Sequence, residues 1–280
     1  MPRTKFDPEK HGFAFGNSWA FEDEERKQVR ELFARYLIGG GVLGAVTFGL
    51  LGALVIPLGL LGAAVFGPLG ALIVAVGILV GRNQLESHLA GGYGLCGGMC
   101  FTALDFYYRG DLDMPRRKHA NDQPPPRTPL RSYIWRRQMH SIVSDGLRFM
   151  VWVIFLNHVS RVWPSWRGTA WLLARSKEEW KKLRASVDAG KPVLIGLVRD
   201  TKNVFDNHQV LAIGYDDPDG ASSTIYLYDP NCPEQESTIR IEFGERLLDG
   251  QESCNPSPPL RGFFCEAYAP RDPSRAVEGR

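Results

Sequence analysis

Between Tyr36 and Gly81 the chain carries no charged residue. A helix with no polar side has to be covered all round, by protein or by lipid. The run is long enough for two passes of ~20 residues, the length a helix needs to cross a bilayer. Pro57 sits near its middle and Pro68 lies further on, and either can break a helix. Gly40 with Gly44, and Gly77 with Gly81, repeat at the glycine-zipper spacing that lets two helices approach closely in lipid. Arg30 and Arg35 precede the run and Arg82 follows it. A hairpin puts both flanks on one side, and basic flanks favour the cytoplasmic side. The expectation is a Gly-rich hydrophobic helical hairpin over 36–81, inserted in a membrane. A hairpin buried in protein is the other reading.

The flanking sequence is of a different kind. Met1 to Arg35 is polar, with an acidic cluster at Glu22, Asp23, Glu24 and Glu25, and lacks the early apolar stretch of a secretory signal. The net charge of +2 gives no ground for a nucleic-acid partner. Five cysteines at scattered positions suit neither a zinc site nor a disulfide framework. They point to a reducing compartment, or to one bridge among Cys232, Cys254 and Cys265. His11, His88, His119, His140 and His158 lack metal-ligand spacing. No metal and no cofactor is expected.

After the hairpin, a glycine-rich loop over 91–98 leads into a helix expected from about Cys96 to Tyr108, ended by Gly110. Residues 114–129, rich in Pro, Arg and Lys, read as a loop. With Arg127, Arg131, Arg136 and Arg137 beyond it, Arg116, Arg117 and Lys118 make this region basic, a patch for anionic lipid or a solvated surface. Residues 148–163 suit a core helix or an interfacial segment better than a third span. A helix is expected over 176–189, with Ser176 as cap, Glu179 completing a capping box and Gly190 closing it. Five runs then read as strands: 192–198, 209–215, 223–228, 238–243 and 262–268. Helices followed by an antiparallel sheet make an α+β domain.

A cysteine nucleophile reacts as thiolate, which a helix N-terminus and a nearby histidine both favour. Cys96 stands where a glycine-rich loop enters a helix, with Gly97 and Gly98 leaving the backbone open to a substrate. His208 begins an apolar strand, and Asp229 ends the next one. Adjacent strands bring the two together, and a carboxylate there holds the imidazole in one orientation. Cys100, one turn further on, is the rival nucleophile.

Three motifs carry a family resemblance: Gly94-Leu95-Cys96-Gly97-Gly98-Met99-Cys100, Asn207-His208-Gln209 leading a strand to Gly214-Tyr215, and Tyr228-Asp229-Pro230-Asn231. In motif and in chain order the sequence resembles the papain-like cysteine peptidase superfamily, nearest its bacteriocin-processing peptidase-like branch, over about Gly91 to Tyr268. The resemblance implies a papain-like fold and a thiol hydrolase, with Cys96 as nucleophile, His208 as base and Asp229 as its orienter. Where such enzymes place an oxyanion-hole Gln, this chain has Ala90; Gln84, Asn83 and Asn17 are the candidate substitutes, beside the Cys96 N–H.

The expected organisation is therefore a polar segment 1–35 packing on the hydrolase domain, the hairpin 36–81, a papain-like α+β domain 82–270 with that hairpin inserted, and a polar tail 271–280. The expected function is a membrane-tethered cysteine peptidase on the cytoplasmic side, acting on a peptide or protein acyl group and self-associating through the hairpin. Two alternatives stay open: a membrane-active, pore-forming or bilayer-perturbing toxin or effector, and an inactive papain-like binding module.

Overall fold

The strands are built on alternation. One face of most of them is apolar, and the closed sheet turns that face inward. The computed structural model describes residues 1–32, 34–35, 94–115, 123–154, 156, 166–201, 206–218, 222–254 and 258–277. The expected hairpin 36–81, Asn83, Gln84, and the expected lipid contacts Arg116, Arg117 and Lys118 lie outside those residues. Two compact units are present, Met1–Trp19 with Gly94–Arg280, and Ala20–Tyr93. In the second, 23–32 is helical, and the Glu22 N–H ahead of it donates to Glu25 Oε2 at 2.9 Å.

The first unit carries helices α1 (Cys96–Arg109), α2 (Pro129–Ile154) and α3 (Trp166–Asp188). Six strands follow: β1 (Val193–Arg199), β2 (His208–Asp216), β3 (Ser222–Tyr228), β4 (Glu236–Phe243), β5 (Leu248–Glu252) and β6 (Leu260–Cys265). They pair antiparallel in chain order, and β6 pairs back onto β1 to close a barrel. Ile195 and Leu197 of β1, Val210 and Ala212 of β2, Ile225 and Leu227 of β3, and Ile239 and Ile241 of β4 form one buried cluster with Trp180 and Leu183 of α3. The opposite face of β1–β3, through Leu194, Leu211, Ile213 and Tyr228, packs on Cys100, Phe101 and Leu104 of α1.

This architecture corrects the expected fold class. A papain-like α+β sheet with an inserted hairpin was expected; the structure has a closed six-stranded antiparallel barrel with helices packed on it. The reason lies largely in β5. Its sequence, Leu-Asp-Gly-Gln-Glu, has no apolar run, and only Leu248, Gly250 and Glu252 turn inward. Without it the sheet stops between β4 and β6. With it, the Gly250–Leu260 pairing completes the ring. Bulges between Val198 and Arg199 and between Ala212 and Gly214 supply the bend that closure demands. Among the described residues no helix is long and apolar enough to cross a membrane.

The ends of α1 are as expected, whereas the start of α3 is not. α1 stops at Gly110, whose left-handed φ of 71° suits glycine. α3 starts ten residues before Ser176, because Trp166 to Arg175 continues the apolar periodicity. Ser176 and Glu179 are therefore not a capping box. Buried instead, they accept the N–H groups of Phe263 and Cys265 on β6. Pro129 opens α2 behind Thr128 Oγ1, which accepts the Arg131 N–H at 3.4 Å. Arg137 does not join a basic surface: only 1% exposed, it pairs with Asp105 of α1 at 2.8 Å. Trp152 of α2 is a core residue against Trp171 and Phe264. The chain from Tyr268 onward returns to the core: the Arg271 N–H and Tyr268 hydroxyl donate to Asp105 Oδ1, at 2.9 and 2.8 Å.

Candidate active site at the barrel rim

Three elements end at one place. Strand β2 starts at His208, β3 stops before Asp229, and α1 starts at Cys96. Side-chain alternation puts His208 on the inward face that Val210 and Ala212 share, and Asp229 on that of Ile225 and Leu227. His208 Nε2 and Asp229 Oδ1 are 2.7 Å apart, with both residues almost wholly buried. Charge on Cys96 acts on His208, and Cys96 Sγ lies 4.0 Å from Oε1 of Gln209, the next residue on β2. Of the predicted trio, His208 and Asp229 meet directly, and Cys96 opens α1 against Gln209, the neighbour of His208.

Burial opposes charge on His208, but the Asp229 carboxylate, then charge on Cys96, outweigh it and lift the imidazole to about 10. Burial equally opposes charge on Asp229. There the His208 imidazolium, the Asn231 N–H at 2.8 Å and Arg199 prevail, and the carboxyl titrates below its usual range. Opposite charges stabilise each other here because solvent is excluded.

The surroundings of Cys96 depend on close packing. Cys96 is partly exposed, and Cys100 is buried with Sγ 3.7 Å from Gln209 O. Burial pushes the Cys100 thiol well up, which leaves Cys96 as the accessible sulfur. Gly97 and Gly98 do not open the backbone to a substrate as expected; both are buried. A Cβ on Gly97 would meet Gln209 Oε1 at 2.0 Å, and one on Gly98 would meet Ile134 O at 2.3 Å. The glycines let β2 and α2 approach the start of α1.

Asn17, one of the three oxyanion-hole candidates, is delivered by the N-terminal segment. Thr4 N–H donates to Ile213 O, Phe13 N–H to Tyr228 Oη and Asn17 N–H to Pro230 O. The Asn17 side chain then joins two parts of the site. Its Oδ1 accepts the Leu95 N–H at 2.5 Å, and its Nδ2 donates to Asn231 Oδ1 at 3.0 Å. The other two candidates, Asn83 and Gln84, lie outside the described residues.

Sequence reading gave no role to four residues that bound the site. Asn231 places Nδ2 at 3.2 Å from His208 Nε2. Gln209 holds Oε1 at 4.0 Å from Cys96 Sγ, while its Nε2 donates to Glu266 Oε1 and Ser141 Oγ at 2.6 and 2.5 Å. Arg199 meets Glu252 through two nitrogens, at 2.8 and 2.5 Å, inside the barrel end. Asn231 and Gln209 sat inside the motifs, adjacent to the predicted residues. Arg199 had a signal too, as a charge ending a wholly buried strand. Glu252 had none, because its strand was unrecognised.

The chain matches no family model, no curated protein and no solved structure.

Proposed function

We propose that the protein is a thiol hydrolase, a cysteine peptidase in its most specific form, acting through Cys96, His208 and Asp229. The observation that carries this reading is the buried His208–Asp229 pair, 2.7 Å apart, with Cys96 at the N-terminus of α1 and its Sγ 4.0 Å from Gln209, the residue after His208. That arrangement favours a thiolate–imidazolium pair, the reactive form of a cysteine nucleophile. Cys96 Sγ attacks the acyl carbon, and the carbonyl π electrons move to oxygen. The oxyanion meets the amide dipoles at the start of α1. His208 gives its proton to the leaving amine, and the acyl–sulfur bond remains. Water, losing a proton to His208, then releases the acid and restores the thiolate. Asp229 keeps the ring oriented throughout. The chain order Cys, His, Asp, by which the motifs resemble papain-like hydrolases, supports the same reading. The uncharged run 36–81 supports a bilayer tether for this activity.

The deciding experiment is site-resolved alkylation with iodoacetamide, read by mass spectrometry across pH. Selective labelling of Cys96 below pH 8, lost in His208→Ala, is expected. Labelling of Cys96 no faster than that of Cys265 would overturn the proposal and favour an inactive binding module.

A further inference from the structure

We propose that the Cys232–Cys254 disulfide is the tie that positions Asp229 against His208, so that thiol–disulfide exchange at this pair switches the reactivity of Cys96. The inference rests on the reading of Cys96, His208 and Asp229 as one reacting unit.

The bridge joins the turn after β3 to the end of β5, with Cα atoms 5.9 Å apart. On the first side, Asp229 and Cys232 bracket a tight turn in which the Cys232 N–H donates to Asp229 O at 3.0 Å. Asn231, one residue before the bridge, donates its N–H to the Asp229 carboxylate and sets Nδ2 beside His208. Further along the same turn Glu234 has a φ of 60°, unfavourable for a residue with a side chain. Such a turn needs an outside anchor to hold its shape.

The anchor is on the second side. Ser253, next to Cys254, is locked to β4: its N–H donates to Thr238 O at 2.9 Å, and its Oγ accepts the Thr238 N–H at 2.8 Å. Glu252, before it, holds Arg199. Arg199 in turn donates from Nη1 to Asp206 O at 2.6 Å and from its backbone N–H to Asn207 Oδ1 at 2.8 Å. Those residues immediately precede His208. A closed circuit results: Asp229, its turn, the disulfide, β5, the Arg199–Glu252 pair, residues 206–207, His208, and back to Asp229. The disulfide is the one link in this circuit that a redox reagent can open, and both its cysteines are partly exposed.

Opening it needs a dithiol. One thiolate of the reagent attacks a bridge sulfur, and the S–S bond breaks with a mixed disulfide formed. The second thiolate resolves that intermediate. The reagent leaves as a disulfide, and Cys232 and Cys254 each take a proton. The turn is then released, and the imidazolium loses the carboxylate that sustains it.

The test compares oxidised wild type, dithiol-reduced wild type, and the Cys232→Ser/Cys254→Ser double variant. Iodoacetamide labelling is followed at each cysteine by peptide mass spectrometry at pH 6 and pH 8. Buried Cys100 serves as an internal reporter of folding. The expected result is Cys96 labelling at pH 8 slowed by at least about tenfold on reduction, because a ring returned to its ordinary 6.5 is only ~3% protonated there. Reoxidation should restore the rate in wild type and not in the variant, with Cys100 protected throughout. Equal Cys96 rates and pH profiles in the oxidised and reduced protein would overturn the switch while leaving the hydrolase reading intact. Slowing accompanied by labelling of Cys100 would mean global unfolding and also overturn it. An unreactive Cys96 in the oxidised protein would overturn both. Should the double variant not fold, the reduced wild type decides by the same readouts.

Discussion

Replacing Asp229 by Asn keeps the shape of the site and removes its charge. In the wild type the imidazolium of His208 persists to about pH 10. Without the carboxylate the largest raising influence is gone, and burial pushes the ring back down towards its ordinary 6.5. A ring titrating at 6.5 is only ~3% protonated at pH 8, so the ion-paired population falls by about 30-fold or more. Two readouts measure this. The carbon and nitrogen resonances of the His208 ring, followed by NMR, should show no titration between pH 6 and 8 in wild type and a neutral ring at pH 8 in Asp229→Asn. Cys96 alkylation at pH 8 should slow by a similar factor. Stability follows with a definite sign. A raised histidine stabilises the fold fully below 6.5 and loses that contribution as pH climbs through about 10. The lowered Asp229 stabilises above 3.8 and loses its contribution in acid. The gap in Tm between wild type and variant should therefore be widest between about pH 4 and 6.5. A wild-type His208 that titrates near 6.5, or a titration unchanged by Asp229→Asn, would refute the reasoning.

Glu252→Ala leaves Arg199 charged and buried inside the barrel end, and should cost about 3–5 kcal/mol in denaturant unfolding. The exposed Arg3–Glu236 pair, broken by Glu236→Ala, should cost no more than about 1 kcal/mol; similar losses in the two variants would contradict the burial argument. Ile225→Ala, at a wholly buried inward position, should lose about 2–5 kcal/mol. Val143→Ala, on the exposed side of α2, should stay within about 0.5 kcal/mol. Burial pushes the Glu266 carboxyl from 4.5 up to about 8, so the folded protein keeps a proton that the unfolded chain has released. Stability therefore falls as pH rises between those values, and Glu266→Gln should remove that slope from a calorimetric Tm–pH curve.

Local patterns made much of the first unit legible. α1 could be read from its periodicity and from Gly110, and five strands from their branched and aromatic runs between turns. The start of α3 was missed because Ser176 and Glu179 mimic a capping box, and nothing local says that both side chains are committed to β6. The strand β5 was missed because Asp249 and Gln251 face outward and Gly250 gives no apolar signal. One polar strand out of six was enough to turn the expected open sheet into a ring.

For the site, the sequence by itself determined which side chains stand at element ends. A glycine-flanked cysteine opening a helix, a histidine leading a strand and an aspartate closing the next follow from local composition. Only the tertiary structure decided what those residues meet. Gly97 and Gly98 turned out to serve close packing against Gln209 and Ile134, not access. Asn17 turned out to bridge Leu95 and Asn231 from 78 positions away from the helix it serves. Arg199 and Glu252, 53 positions apart, close the barrel end around His208. The physical reason is common to all of these. Periodicity and turn chemistry act over a few residues, whereas the His208–Asp229 pairing that raises one and lowers the other, and the approach of Cys232 to Cys254, exist only once the chain has closed on itself.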